Sequence, residues 1–217
     1  MTSGAMNLQA VDRFWEWFSE KEGEIRRLWS QEHSQELTQM LHPKVKELSP
    51  RLQWELGPAG QDRVFLAISP GGDPELLSLT ERVVARAPRL SGWQFYEAKP
   101  ARDWKAAFRF SHQSGHYELD ATGWEYSLVA FDGGSFFDVT LYVGGSLDSV
   151  PQQIWGKAVR VVLDGVLGER MCMETIDQIH IEGRAPSDKP RGKLGFLKQH
   201  VTELSRPRSA RKVGRGE

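Results

Sequence analysis

Cysteine is nearly absent from this chain, and other features that mark common functions are missing altogether. Cys172 is the only cysteine, so no disulfide can form within the chain and a thiolate zinc site is excluded. No apolar run approaches the roughly 20 residues needed to cross a bilayer. The N-terminus also lacks the basic segment and apolar stretch of a secretory signal. These absences predict a protein of the reducing cytoplasm that has no membrane partner.

Motifs for catalysis and cofactor binding are also lacking. The chain has no Gly-x-x-x-x-Gly-Lys-Ser/Thr loop, no Gly-x-Gly-x-x-Gly fingerprint and no Gly-x-Ser-x-Gly elbow. Gly71-Gly72 and Gly144-Gly145 precede helix patterns, but the acidic residues that follow would repel phosphate, so both pairs predict strand-to-helix turns. We therefore predict no cofactor, no metal and no catalytic residue, and we favour a protein that is not an enzyme.

His112 and His116 are the one close pair among six histidines. A spacing of four suits a metal site on a helix, but Gly115 and polar neighbours predict a loop, and no Glu follows His112 as in metalloproteases. An enzymatic alternative would combine these histidines with carboxylates on or near predicted strands. Those carboxylates include Glu118, Asp120 and Glu125. Solvated strand faces explain the same carboxylates.

Aromatic residues are abundant, with eight Trp and ten Phe, and a cluster of them lies in the first predicted helix. Phe14, Trp15 and Phe18 fall at helical spacing, and Trp17 adds bulk beside them. One interpretation is a partner surface, because aromatic residues are enriched at interface hot spots. The other, which we favour, is that these rings pack on a sheet and fill a core.

Two stretches share one order of elements: strand, tight turn, strand, Gly-Gly, helix, strand. The first is 51–100 and the second is 124–183, and in both the strands are indicated by alternating apolar residues or by short apolar runs bounded by turn residues. Pro74 and Pro151 suit the first position of a helix in each stretch. The repeated order predicts an internal duplication.

We predict an α+β fold in which the two strand-strand-helix-strand units form one sheet, covered by N-terminal helices. The helical segment is 7–48, with helices at about 7–30 and 33–48, and a break is expected at His42-Pro43 because proline disfavours helix in the residue before it. Residues 101–123 connect the two units. Residues 1–188 then form a single α+β domain.

Charge is unevenly distributed along the chain. From Lys189 to the end there are nine Lys or Arg and two Glu, a formal charge of +7, whereas residues 1–188 carry −8. We predict that residues 189–217 form a basic, largely disordered tail. A solvated tail without a ligand is the favoured interpretation, and weak binding of nucleic acid or another anion is the alternative. The candidate anion contacts are Arg206, Arg208, Arg211, Lys212 and Arg215.

Two segments resemble those of a family of bacterial proteins that has no assigned activity. They are Phe14-Trp-Glu-Trp-Phe18 and Ala87-Pro-Arg-Leu-Ser-Gly-Trp-Gln-Phe95, the latter followed by Lys99-Pro100. The resemblance implies a bacterial cytoplasmic protein and adds no site residue, and the basic tail is not part of it.

For function, the sequence favours a non-enzymatic binding or regulatory module whose partner is another protein. This prediction rests on the missing catalytic motifs, the surplus of aromatic residues and the separation of a basic C-terminal segment from an acidic remainder of the chain. The alternatives are an enzyme built on His112 or His116 and strand carboxylates, and weak nucleic-acid binding through the tail.

Overall fold

A computed structural model describes residues 8–60, 62–103, 106–112, 115–188 and 190–205, and it confirms the α+β class. The chain divides into two compact units, Met1–Pro100 and Ala101–Glu217, which we call the N-terminal and C-terminal halves. This division differs from the single domain predicted from the sequence. No helix among the described residues is long and apolar enough to cross a membrane.

The N-terminal half is a three-stranded sheet with helices packed against it. Its elements in chain order are α1 (Leu8–Ser30), α2 (Ser34–Leu48), β1 (Gln53–Pro58), β2 (Val64–Ser69), α3 (Leu77–Val84) and β3 (Trp93–Tyr96). The strand order is β1-β2-β3, with β1 antiparallel to β2 and β3 parallel to β2. β2 is therefore the middle strand, and all six of its residues are buried.

The core of this half joins the aromatic face of α1 to the sheet, as the prediction of covering helices requires. Buried residues of α1, α2 and α3 share one cluster with those of the three strands. Phe18 is fully buried, and its ring centroid lies 4.9 Å from that of Trp93 in an edge-to-face arrangement. Trp15 is buried as well, and its indole N–H donates to the Val83 carbonyl at 2.8 Å. Buried indole nitrogens need such a partner, and this one ties α1 to α3.

The predicted break at His42-Pro43 is wrong, because α2 continues through Pro43. Proline removes one helical hydrogen bond and crowds the preceding turn, at a cost of about 3 kcal/mol. Leu41 and Val45 lie on either side of Pro43, and both are fully buried in the core. Tertiary packing of these side chains offsets the local penalty and keeps the helix continuous.

The C-terminal half contains two separate sheets. Its strands are β4 (Ala107–His112), β5 (Gly115–Asp120), β6 (Glu125–Phe131), β7 (Phe136–Tyr142), β8 (Ile176–Glu182) and β9 (Gly192–Lys193). Its helices are α4 (Trp155–Leu167), α5 (Glu169–Thr175) and α6 (Leu197–Leu204). β4 and β5 pair as a hairpin, and the other strands form a sheet in the order β8-β7-β6-β9.

Both predicted strand-strand-helix-strand stretches have the same strand pairing. β6 is antiparallel to β7 and β8 is parallel to β7, as β1, β2 and β3 are related in the N-terminal half. The prediction of a single sheet is wrong, however, because the two stretches lie in separate sheets. The side of β6 on which another strand would join is taken by β9 at Glu125 and Tyr126. The chain after β3 instead forms the β4–β5 hairpin.

The prediction of a disordered tail from residue 189 onward is corrected for residues 190–205. This segment contributes β9 and α6, and it buries Leu194, Leu197 and Val201 in the core of the C-terminal half. These three apolar residues have helical spacing, but the stripe that they form is short and lies among charged residues. The overall composition of the segment therefore did not indicate a helix. Residues 206–217 lie outside the described residues.

Candidate functional site

The aromatic residues predicted as a partner surface are mostly core residues. Phe14, Trp15 and Phe18 are 3%, 4% and 0% exposed, and only Trp17 is half-buried. They pack against one another and against Phe95 of β3. Aromatic rings are large, so burying them removes a large apolar area from water and stabilises the fold. The candidate partner surface on α1 is therefore corrected to a packing face.

Of the residues of the enzymatic alternative, His116 and Glu118 line one groove together, whereas Asp120 and Glu125 do not line it. His112 lies at the end of β4, and His116 is exposed on β5 next to Glu118 in this groove of about 510 Å³. Glu118 forms an exposed ion pair with Arg109 at 2.5 Å. A carboxylate held this way is solvated and paired, which is unlike the environment that tunes a general acid or base.

The other two candidate carboxylates have partners of their own. The Thr122 hydroxyl, and then its backbone N–H, donate to Asp120 and lower the pKa of that carboxyl. Glu125 lies 3.2 Å from the guanidinium of Arg191. The Thr122 contacts are local and stabilise the ionised form of Asp120. Among the described residues, no three His, Cys, Asp or Glu side chains are grouped so that they could hold a metal ion.

Cys172 lies in α5 and is buried in the core of the C-terminal half. Burial, and then the charge of Asp164, raise the pKa of its thiol well above the ordinary value. The thiolate is the reactive form of cysteine. Cys172 is therefore held as a neutral, inert core residue at physiological pH.

A different feature stands out in the N-terminal half: a groove of about 690 Å³ between the end of α1, the start of α2 and strand β1. We call it the β1 groove. Its lining residues are Trp29, Ser30, Glu32, Ser34, Leu37, Thr38, Trp54, Glu55 and Leu56. Two half-buried indoles, Trp29 and Trp54, form part of the lining and pack against the core below. The lining thus combines apolar and polar residues.

The α1–α2 connection places Glu32 in this groove in a strained conformation. Its backbone φ is +58°, in the left-handed region that favours glycine. The His33 N–H donates to the Leu28 carbonyl at 3.0 Å, and the Glu32 N–H donates to the Trp29 carbonyl at 3.1 Å. These two bonds define a Schellman motif, in which the residue at the Glu32 position is usually glycine. A glutamate there costs stability, which is a pattern that functional sites show.

The backbone of β1 presents hydrogen-bonding groups to the groove. Val64 donates its N–H to the Gly92 carbonyl, on the β3 side of β2. Hydrogen-bonded and non-hydrogen-bonded pairs alternate along an antiparallel ladder. Val64 pairs with Pro58, and its N–H points away from β1, so this is a non-hydrogen-bonded pair. Leu56 and Trp54 lie two and four residues before Pro58 and occupy equivalent positions. Their N–H and C=O groups therefore point away from β2. No described strand pairs with β1 on that side.

The charge of the groove has one sign among the described lining residues. Glu32 and Glu55 carry carboxylates, and the other lining side chains are neutral. Glu32 is exposed and Glu55 is half-buried. The groove therefore favours a cation next to an apolar or extended segment, because indole faces and carboxylates both attract cations.

The sequence analysis missed this groove, although its parts were visible. Trp29 lies on a helix face and Trp54 on a strand face, and the two residues are far apart along the chain. The signal that was available is the Glu32-His33 break between two helices without the glycine that such breaks prefer. The candidate anion contacts Arg206, Arg208, Arg211, Lys212 and Arg215 lie outside the described residues.

Comparisons of this chain with protein-family models, with curated proteins and with solved structures found no match. The resemblance of the aromatic segments to a bacterial family stays a prediction.

Proposed function

We propose that the protein is a non-enzymatic binding module that holds an extended segment of a partner protein in the β1 groove. One observation carries the proposal: the free edge of β1 lies beside a groove whose other wall is helical. Domains that bind peptides by strand addition use this arrangement, in which the edge strand supplies hydrogen bonds and adjacent pockets select side chains.

The partner segment is an extended peptide that pairs with the backbone of Trp54 and Leu56. These two residues offer N–H and C=O groups on the outer side of β1. Pairing stops at Pro58, which has no N–H to donate. The short available edge accommodates only a few residues of peptide, so side-chain contacts in the groove must supply much of the affinity.

The side chain that the groove selects is lysine or arginine. Glu32 and Glu55 are the charged residues that line the groove, together with Trp29 and Trp54. A guanidinium or ammonium group placed there meets opposite charge and an aromatic surface at once. An acidic peptide would meet like charge, which gives the site selectivity as well as affinity.

The test is selection from a phage-displayed library of random 12-residue peptides on the purified full chain. We expect the selected peptides to contain a Lys or Arg within an extended, alternating sequence. Fluorescence anisotropy of one labelled peptide then gives its Kd for the wild type and for variants. Glu32→Gln should weaken binding several-fold, whereas Glu20→Gln, an exposed glutamate of α1 that does not line the groove, should not.

Strand addition itself has a backbone signature. Only alternate N–H groups of a paired peptide face β1. N-methylation of the residues whose N–H groups face β1 should abolish binding, and N-methylation of the residues between them should leave binding intact. Equal tolerance of methylation at every position would rule out strand addition. Peptides without Lys or Arg that bind as well would rule out the role of the carboxylates.

Three further properties are part of this proposal. The reducing cytoplasm is the compartment, since Cys172 is the sole cysteine of the chain. An internal duplication is supported by the shared strand pairing of the two strand-strand-helix-strand stretches. A bacterial source rests on the sequence resemblance alone.

A further inference from the structure

The β6–β7 hairpin displays three apolar side chains that the core does not use. Val129, Phe131 and Phe136 are 55%, 41% and 45% exposed. Phe131 pairs directly with Phe136, and Val129 is two residues from Phe131, so all three share one face of the sheet. We call these side chains the hairpin patch. Neighbouring apolar side chains that remain exposed mark a candidate interaction site.

A carboxylate without a partner lies on the same face. Asp138 pairs with Val129 across the ladder, so its side chain is next to the hairpin patch. Asp138 is half-buried, and its Oδ1 is buried without a hydrogen-bond partner among the described residues. The β7–β8 register shifts between Phe137 and Val139, so no residue of β8 pairs with Asp138. Partial burial of a carboxylate that accepts no hydrogen bond is unfavourable, so a donor brought to Asp138 by a partner would remove that cost.

The charge around the hairpin patch is negative. Residues 127–142, which form most of the hairpin, contain Asp132 and Asp138 and no Lys or Arg. At the far end of β6, the guanidinium of Arg191 lies 3.2 Å from Glu125 and is therefore already paired. A cation supplied by a partner is the complement of this face, whereas a phosphate would meet like charge.

We propose that the hairpin patch binds a short segment of a partner protein that presents an arginine. The planar guanidinium stacks on the ring of Phe131 or Phe136 while its N–H groups donate to the Asp138 carboxylate. Lysine is a point charge that donates to a carboxylate but does not stack flat on a ring. An apolar residue next to the arginine covers Val129. This surface lies in the C-terminal half and is independent of the β1 groove.

A second copy of the chain fits this face less well. Three side chains are few compared with the roughly 800 Å² that each partner buries in a stable interface. In a symmetric dimer the same surface meets itself, so Asp132 and Asp138 would approach the same carboxylates of the other copy. A short cationic segment matches both the size and the charge of the patch.

The experiment records amide NMR spectra of the isotope-labelled full chain during titration with the capped peptide acetyl-Gly-Arg-Leu-Gly-amide. We expect the amide signals of residues 129–138 to shift, and the titration gives a Kd. A matched peptide with citrulline, the uncharged isostere of arginine, should bind up to about fivefold more weakly, the size of an exposed ion pair. The peptide with lysine in place of arginine should also bind more weakly, because it loses the stacking contact.

Variants separate the charge from the ring. Asp138→Asn should reduce the affinity for the arginine peptide to about that for the citrulline peptide. Phe131→Ala should weaken binding of the arginine peptide about two- to fivefold, the size of an exposed cation–π contact. The matched control is Asp148→Asn, because Asp148 is exposed and follows the end of β7 that is opposite the turn. Glu32→Gln, in the β1 groove, should leave the hairpin shifts unchanged, so the two sites are tested separately.

Equal binding of the arginine and citrulline peptides would overturn the inference. So would unchanged binding of the arginine peptide by Asp138→Asn and Phe131→Ala, or a titration in which the hairpin signals do not shift. Hairpin signals that move with protein concentration alone would assign the patch to a second copy instead. Signals that move when the five Lys or Arg of residues 206–217 are replaced with Gln would assign it to the chain's own basic segment. Either result would overturn the proposal of a partner protein.

Discussion

Glu32 offers a test in which stability and binding should change in opposite directions. The residue adopts φ +58° at the Schellman position of α1 and lines the β1 groove. A left-handed conformation costs an L-residue roughly 1–2 kcal/mol. Glycine avoids that cost but is more flexible in the unfolded chain, which offsets roughly 0.5–1 kcal/mol. Glu32→Gly should therefore stabilise the fold by about 0.5–1 kcal/mol.

Thermal and urea unfolding measure that gain. For a chain of this size, 1 kcal/mol corresponds to roughly 2–4 °C in Tm. Glu32→Gln keeps the strained side chain and removes only its charge, so its Tm should stay close to that of the wild type. Both variants lose the carboxylate and should bind the selected basic peptide less tightly. The loss is up to about fivefold, because an exposed ion pair contributes at most about 1 kcal/mol.

High salt supplies a second check on the same variants. Exposed charges are screened within about 3 Å at 1 M salt, so the difference in peptide affinity between the wild type and Glu32→Gln should disappear there. A Glu32→Gly protein that is less stable than the wild type would refute the strain argument. Equal peptide affinity of all three proteins at low salt would refute the role of the Glu32 carboxylate.

Two other predictions concern the cores of the two halves. Phe18→Ala should destabilise the N-terminal half by about 3–5 kcal/mol in urea unfolding, because it removes a fully buried ring and leaves a cavity. Phe196→Ala, at an exposed site, should change the free energy of unfolding by no more than about 0.5 kcal/mol. Similar losses for both variants would contradict the packing described. Burial raises the pKa of Cys172 above its unfolded value of 9.0, so the unfolded state loses its thiol proton first as pH rises. The contribution of Cys172 to the free energy of unfolding is complete below pH 9 and is lost as the pH rises above 9. In that range the free energy of unfolding of the wild type should fall more steeply than that of Cys172→Ala, by up to about 1.4 kcal/mol per pH unit. Parallel curves for the two proteins would contradict the raised pKa.

Local sequence was sufficient for most elements, because their signals lie within a few residues. Alternating or continuous apolar residues between turn residues predicted β1, β2, β6 and β7, and the strands form there. Helical stripes predicted α1 and α2 with bounds near those observed. The errors occur where packing overrides a local signal: Pro43 remains in a helix because Leu41 and Val45 are buried on either side of it.

The sequence by itself determined the α+β class, the repeated order of elements and the location of the aromatic core, since periodicity and turn residues act over short distances. Tertiary structure alone decided that the strands separate into different sheets, because strand pairing is a contact between distant residues. It also decided the candidate site. Trp29 and Trp54 are adjacent to one groove only because α1 and β1 pack against the same core, and no spacing along the chain encodes that proximity.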